Sequence, residues 1–468
     1  MKSIISNLNK FYTYFLIALK GEESEFTTGS INKAIFLLSV PMVLEMVMES
    51  LFAVVDVYFV AKVGVDAVAT VGLTESVVMI VYSIGIGLSM AATAIVSRRV
   101  GEKKYKRAGD AAFQTILISA LFSIAISVVG ILYAEDILRL MGGSEKLVKS
   151  GYGYTKVMLG GNLCIILLFL LNAIYRGAGD ASMAMRSLWI ANGLNILLDP
   201  LFIFGWGPIP AYGVEGAAIA TTIGRSLGVF YQLIGLISGT RLIKLTVENI
   251  KIRLKTIKDI FSIGLGGMGQ FLIESASWLF LVRIISEFGS EALAGYTIAF
   301  RIIVFTILPS WGLANAAATL VGQNLGAQQP DRAETSVWTT AHWNTVFLFL
   351  VSVIFFVWSP EFVGLFAEKE TVINYGITAL RIICLGYIFF SYGMIISQGF
   401  NGAGDTRTPS LMNVIFFWVM QIPMAYLLAF KFDYGFEGAI ISVAISFALH
   451  ALACIVWFRK GDWKRVEV

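Results

Sequence analysis

The chain repeats itself at an offset of 225 residues, and this constrains its fold more than any other feature. Glu49-Ser50 recurs as Glu274-Ser275. Gly64, Ala67 and Ala69 recur as Gly289, Ala292 and Ala294, and Gly87-Leu88 and Ala91-Ala92 as Gly312-Leu313 and Ala316-Ala317. Val96, Gly101, Arg107 and Ala108 recur as Val321, Gly326, Arg332 and Ala333, and Gly177-Ala178-Gly179-Asp180 as Gly402-Ala403-Gly404-Asp405. The offset then becomes 222, where Tyr212–Ala217 matches Tyr434–Ala439. Two segments sharing one register are two copies of one structural unit. Residues kept in both copies tend to be scaffold, and residues found in one copy tend to serve a task.

Each copy consists of long apolar runs. The chain is 57% hydrophobic and 14% charged, against about 25% charged in a soluble domain. A membrane span needs roughly 20 apolar residues. That rule predicts twelve helices, near 33–61, 67–97, 111–134, 152–173, 183–206, 213–239, 257–286, 292–322, 338–358, 372–399, 409–430 and 436–458. The runs are continuous, not alternating, which selects helices over a β-barrel. The expected fold is an all-α membrane protein of twelve transmembrane helices. With six helices per copy, both copies start on the same side of the bilayer. They are then parallel lobes related by a pseudo-twofold along the membrane normal. The expected division is an N-terminal interfacial segment (1–30), an N-lobe (31–239), a cytoplasmic linker (240–256), a C-lobe (257–458) and a cytoplasmic tail (459–468).

Charge orients the lobes. Residues 98–107 carry Arg98, Arg99, Lys103, Lys104, Lys106 and Arg107, residues 241–258 carry six more basic groups, and the C-terminus holds Arg459, Lys460, Lys464 and Arg465. The opposite loops are poor in basic residues, and 206–213 carries no charge. The positive-inside rule then places both termini in the cytoplasm of a multi-pass protein of the inner (plasma) membrane. Topology accounts for the net charge of +4, so nucleic acid is not expected as a partner. Ile4, Leu8, Phe11, Phe15 and Leu19 recur at helical spacing. This reads as an interfacial helix, not a disordered tail or a secretory signal. The linker's alternation of apolar and basic residues suggests a second short amphipathic helix on the membrane. Three dispersed cysteines and two histidines offer neither a disulfide framework nor a metal cluster. The Gly-Ala-Gly-Asp turns suit helix ends that reverse direction, and their spacing does not match a phosphate-binding loop.

A carboxylate inside the membrane is costly and usually functional. The first span holds Glu45, Glu49 and Asp56. At 100° per residue these fall within about 40° of one another and form one acidic stripe. Asn195 and Asp199 share a face of the fifth span, and Asn172 and Thr221 add neutral oxygens. Comparing the copies sorts these residues. Glu49 is matched by Glu274. Asp56, Asp199, Asn195 and Thr221 are met by Leu281, Met424, Met420 and Val443. The acid, amide and hydroxyl set is therefore confined to the first copy. It reads as a site for H⁺ or Na⁺, since hard oxygen ligands do not suit a transition metal. Glu49 and Glu274 fit either a packing role or a functional one. Glu45 reads as a charge snorkelling to the cytoplasmic end. Arg301, mid-helix, is a candidate partner for Glu274. Pro41 interrupts the first span and fits either a hinge or a static kink. Met46, Asn172, Glu49, Glu274 and Arg301 are the candidate cavity residues.

This pattern resembles the multidrug and toxic compound extrusion (MATE) transporters, in the DinF-like branch of the MOP flippase superfamily. The resemblance rests on Pro41 fifteen residues before Asp56 and on Asn195-Ile-Leu-Leu-Asp199-Pro200 followed by Gly216–Thr221. Asn172 four residues before Arg176-Gly-Ala-Gly-Asp180 adds to it, and it covers residues 31–458. It implies secondary active efflux of amphipathic, often cationic compounds in exchange for H⁺ or Na⁺, with no cofactor beyond that ion. It also implies an ion site at the positions of Asp56, Asn195, Asp199 and Thr221. Glu274 matches an acid used in other branches. The acid those branches place in the tenth span is absent, where Tyr387-Ile-Phe-Phe-Ser-Tyr392 stands.

The expected mechanism pairs Asp56 with Asp199 inside the first lobe, lets H⁺ or Na⁺ relieve their repulsion, and moves the first helix about Pro41 as the lobes rock. The bilayer and small organic molecules are the expected partners, and the protein is expected to be a monomer. A lipid-linked oligosaccharide flippase is one alternative, but it calls for a basic cavity where the candidate residues are mainly acidic. A non-transporting receptor or scaffold is another, and it gives no reason to confine buried acids to one lobe. No nucleophile–base pair or nucleotide motif suggests an enzyme.

Overall fold

The structure is a computed structural model and describes residues 2–21 and 25–468, the side chains of residues 2–9 apart. Among the described residues the elements are helical and no strand is formed. A first helix, α1 (Lys2–Lys20), precedes the N-lobe. That lobe comprises α2 (Ile31–Ala61), α3 (Val65–Gly101), α4 (Tyr105–Leu132), the short α5 (Ala134–Leu140), α6 (Glu145–Gly160), α7 (Asn162–Gly177), α8 (Ala181–Phe204) and α9 (Val214–Ser238). The C-lobe comprises α10 (Leu254–Ser286), α11 (Ser290–Gly326), α12 (Pro330–Val357), the short α13 (Ser359–Gly364) and α14 (Glu370–Ala403). It ends with α15 (Arg407–Asn413) and α16 (Ile422–Tyr426), joined by π-helical turns, and α17 (Gly435–Lys460).

Eleven helical segments among the described residues are long and apolar enough to cross a membrane, with α6 and α7 counted as one span. The twelfth expected span is α9, a 25-residue helix. Arg225, Gln232 and its Thr and Gly residues hold its hydropathy down, yet Arg225, Gln232, Thr221 and the glycines are buried. The change of offset from 225 to 222 falls at the turn between the fifth and sixth spans of each lobe. The N-lobe reverses through residues 205–213 and the C-lobe through 432–434 alone.

The two halves meet as a pseudo-twofold demands. A Cβ on Gly101 would lie 1.9 Å from the Gln323 carbonyl oxygen, and one on Gly326 would lie 2.2 Å from that of Arg98. Gly101 is equivalent to Gly326, and Arg98 to Gln323. A Cβ on Gly87 would meet the Met268 nitrogen at 2.7 Å, and one on its equivalent Gly312 would meet the Val43 nitrogen at 2.8 Å. Small residues let membrane helices approach this closely, which matters because lipid offers no hydrophobic drive to pack them. These contacts close the lobes on the face that carries the basic loops.

Chain segments strap the same face. Arg98 donates to the carbonyls of Val466 (2.6 Å) and Ala403 (3.5 Å), and Arg99 to that of Val468 (2.5 Å). In the other direction Arg332 donates to the carbonyls of Gly29 (2.9 Å), Thr28 and Phe26. Lys464 bonds Glu334, which raises the affinity of its amine for a proton. The linker is not a second amphipathic helix. It forms a single 3₁₀ turn, Val247–Asn249, because its polar groups are spent on the N-lobe: Arg241 pairs with Asp180 (3.1 Å), and Arg253 (2.9 Å) and Asn249 (2.8 Å) bond Asp110. α1 is helical as expected. Phe11 packs on Phe36, and Arg186 donates to the carbonyls of Leu19 and Lys20. The side chains of Ile4 and Leu8 lie outside the described residues.

Candidate ion and substrate site

The acidic stripe of α2 turns inward on the N-lobe, and each acid meets a different neighbour. Glu45 is 1% exposed, so it does not snorkel to the membrane surface. Its Oε1 accepts from Arg176 (2.8 Å) and Asn172 (3.0 Å), both on α7. Asn172 in turn accepts from Gln232 of α9 (2.6 Å), whose backbone carbonyl accepts from Tyr175 (2.7 Å). One turn along α2, Glu49 accepts from Asn192 of α8 (2.8 Å) and, at 3.3 Å, from Arg225 of α9. Burying a charge requires a partner, and these two acids have one each.

Two turns further, the pattern changes. Asp199 is fully buried, and among the described residues neither of its carboxylate oxygens has a hydrogen-bond partner of good geometry. One turn before it on α8, Asn195 donates to Thr221 of α9 (2.9 Å), and its own carbonyl oxygen is left without a donor. Asp56 lies within electrostatic reach of Asp199, and the hydroxyl of Tyr154 on α6 lies within reach of both, together with Glu75 and Tyr82 of α3. Asp56, Asn195, Asp199 and Thr221 thus come together from three helices. Two acids and an unpaired amide oxygen, short of donors, suit a bare proton or a small hard cation. Na⁺ and H⁺ both fit this donor set.

Beside this cluster lies a cavity of about 320 Å³ between the lobes. Glu45, Glu49, Asn172, Arg176 and Arg225 form its charged N-lobe wall, and Met46 and Phe169 add apolar surface. The C-lobe side is neutral there, with Asn315, Gln398, Asn401 and Trp311. A second cavity of about 90 Å³ runs into the C-lobe past Glu274, Gln270 and His450, and shares Met90, Phe271 and Trp311 with the first. Pro41 is buried within α2, one turn before Glu45.

Of the candidate cavity residues, Met46, Glu49 and Asn172 line the larger cavity and Glu274 the smaller. Arg301 lines neither. It is exposed, and among the described residues no ion pair joins it to Glu274; Ile307, the first α11 residue to line either cavity, comes six residues later, about 9 Å along the helix. Sequence reasoning missed the cavity arginines. The comparison of copies would have found them: Arg176 is met by Asn401 and, under the shifted register, Arg225 by Phe447. Glu45 is met by Gln270. Tyr82 and Tyr154 gave no signal, since apolar helices are rich in aromatics.

Two parallel six-helix lobes around a central cavity, with an unpartnered acid buried in one lobe, are the architecture of a membrane transporter. The MatE family profile matches twice, at residues 41–201 and 268–427, once per half, and the chain belongs to that family. It is 25% identical over 458 residues to a probable multidrug resistance protein, NorM, of Thermotoga maritima, covering 98% of this chain and 97% of that one. It is 22% identical to the multidrug export protein MepA of Staphylococcus aureus over 92% of this chain and 94% of that one. A solved structure described as the outward-facing conformation of a multidrug resistance MATE family transporter superposes with a TM-score of 0.87 at 27% identity. It covers 93% of this chain and 98% of the other.

Proposed function

We propose that the chain is a multidrug efflux antiporter of the inner (plasma) membrane. It exports amphipathic, often cationic compounds and is driven by H⁺ or Na⁺ entering through the N-lobe. The observation that carries this reading is the buried Asp199 carboxylate without a hydrogen-bond partner, beside Asp56 and the Asn195–Thr221 pair. An uncompensated carboxylate there costs several kcal/mol or more, so the site calls for a positive charge that comes and goes. The cavity is the right size for a small molecule, which takes roughly 300–1,000 Å³, and Glu45 and Glu49 give it acidic contacts.

With both termini in the cytoplasm, the glycine contacts and straps close the cytoplasmic face, which is the outward-facing arrangement. Protonation or Na⁺ binding at Asp56 and Asp199 then favours one orientation of the lobes and substrate the other, as antiport requires. The flippase alternative loses ground for a new reason. The cavity does hold two arginines, but two glutamates stand beside them, so its charged wall has no net positive charge to hold a pyrophosphate.

Everted vesicles loaded with a fluorescent cationic dye test the reading under a pH gradient and separately under a Na⁺ gradient. Dye transport under one gradient, lost in Asp199→Asn, is the expected result. Dye transport that ignores both gradients would refute it.

A further inference from the structure

Arg225 stands between the substrate cavity and the ion cluster. Glu49, Phe52 and Asp56 share one face of α2 at spacings of three and four residues, and the two acids are about 10 Å apart along the axis. The Arg225 guanidinium lies over the Phe52 ring, 5.7 Å from its centre. It reaches Glu49 on one side and is within electrostatic range of Asp56 on the other. On α9 it sits one turn from Thr221, which bonds Asn195 of the ion cluster.

Its grip on Glu49 is weak. The single contact is 3.3 Å, longer than the 2.7–2.9 Å or so of a charge-assisted hydrogen bond, and among the described residues the buried Nε has no partner. Arg176 differs: it holds Glu45 at 2.8 Å, with Asn172 bonded to the same oxygen. One arginine is held by a short bond and the other by a single long one. The C-lobe has Phe447 in place of Arg225, so the fold itself does not need a cation there.

We propose that Arg225 is the positioning residue that links ion occupancy to substrate binding, by dividing its attraction between Glu49 and Asp56. This rests on the reading of Asp56 and Asp199 as the ion site. When Asp56 is charged, it draws the guanidinium along α2 and leaves Glu49 free for the cationic group of a substrate. When a proton or Na⁺ neutralises Asp56, that pull ends. Arg225 then closes on Glu49, as seen here, and displaces the substrate cation. A proton taking this route binds a carboxylate oxygen from outside and leaves it towards the cytoplasm, and no other bond changes. The other titratable and charged groups facing this region are Glu45 on α2 with Arg176 on α7, Tyr82 and Glu75 on α3, Tyr154 on α6 and Asp199 on α8.

Ethidium binding to the purified full-length protein, measured by fluorescence anisotropy with and without acidification or Na⁺, tests the link. Wild-type affinity is expected to fall about tenfold or more when the ion binds, within the 5–150-fold range typical of coupled sites. Asp56→Asn should bind weakly under all conditions. Arg225→Gln should bind tightly under all conditions, with ion-driven efflux lost while ethidium still equilibrates down its own gradient. Arg225→Lys keeps the charge and should restore part of the ion dependence. Glu49→Gln reads the same link from the other end. With Arg225 released to Asp56, the ion affinity should fall about tenfold, since coupling is reciprocal.

An Arg225→Gln protein whose ethidium binding still responds to the ion like wild type, while Asp56→Asn does not, overturns the proposal and leaves the ion site standing. So does unchanged ion affinity in Glu49→Gln, which decides the matter if Arg225→Gln does not fold. Wild-type coupling in both Asp56→Asn and Asp199→Asn removes the ion site, and the proposal with it.

Discussion

Gly101 of α3 presses against the backbone of Gln323 while its counterpart in the second half, Gly326 of α11, presses against that of Arg98, so the two halves close on each other through one reciprocal contact. Neither glycine has space for a methyl group, and both abutting atoms are backbone. Gly101→Ala and Gly326→Ala should each cost the closed state about 1–3 kcal/mol through overpacking, roughly a 5- to 150-fold shift toward opening of the basic face. Thiol labelling of a cysteine introduced along α3 checks this. Unchanged labelling in both variants would show that the contact does not hold the face shut.

The straps predict a milder effect. Arg332→Ala removes three donations to the backbone of residues 26–29 and leaves the glycine contact intact. Basic-face labelling should rise by less than in Gly101→Ala, and transport should continue. Complete loss of transport in a folded Arg332→Ala protein would contradict this.

Asp199→Asn replaces a buried, unpartnered carboxylate with a neutral amide of the same shape. Ion-driven efflux should vanish, while thermal stability should hold or rise, because no charge then needs compensating. A folded Asp199→Asn protein with wild-type efflux would remove the acid from the mechanism.

Glu45 and Arg176 form a buried pair, so Glu45→Gln alone should cost about 3–5 kcal/mol by stranding the arginine. The matching C-lobe positions carry neutral side chains, Gln270 and Asn401, so the fold tolerates an amide at each place and no charge is stranded there. The double variant E45Q/R176N should therefore recover most of the lost stability. Denaturation of both single variants and the double gives the coupling energy directly. Simple addition of the two losses would show that the pair does not act as a unit.

Glu274 lines the smaller cavity with no ion pair of its own among the described residues. Glu274→Gln should raise KM for cationic substrates severalfold and leave the response to the ion gradient in place. Loss of that response with KM unchanged would move Glu274 from substrate contact to coupling.

Much of this was legible in the chain itself. Length and continuity of apolar runs determined the helices, because a bilayer leaves a spanning backbone few other ways to satisfy its polar groups. The register shared by Glu49 and Glu274, or Gly101 and Gly326, determined the two lobes and their parallel relation. Asymmetry between the copies singled out Asp56, Asn195, Asp199 and Thr221 as a group. Tertiary structure alone decided how charges divide among partners. Glu45, Glu49 and Asp56 are equivalent as positions on one helix face, yet one is locked by Arg176, one is loosely held by Arg225 and one has no ion-pair partner at hydrogen-bonding distance. Those fates depend on where α7, α8 and α9 cross α2, and a charge's energy is set by the few ångströms around it, which spacing along a single helix does not encode.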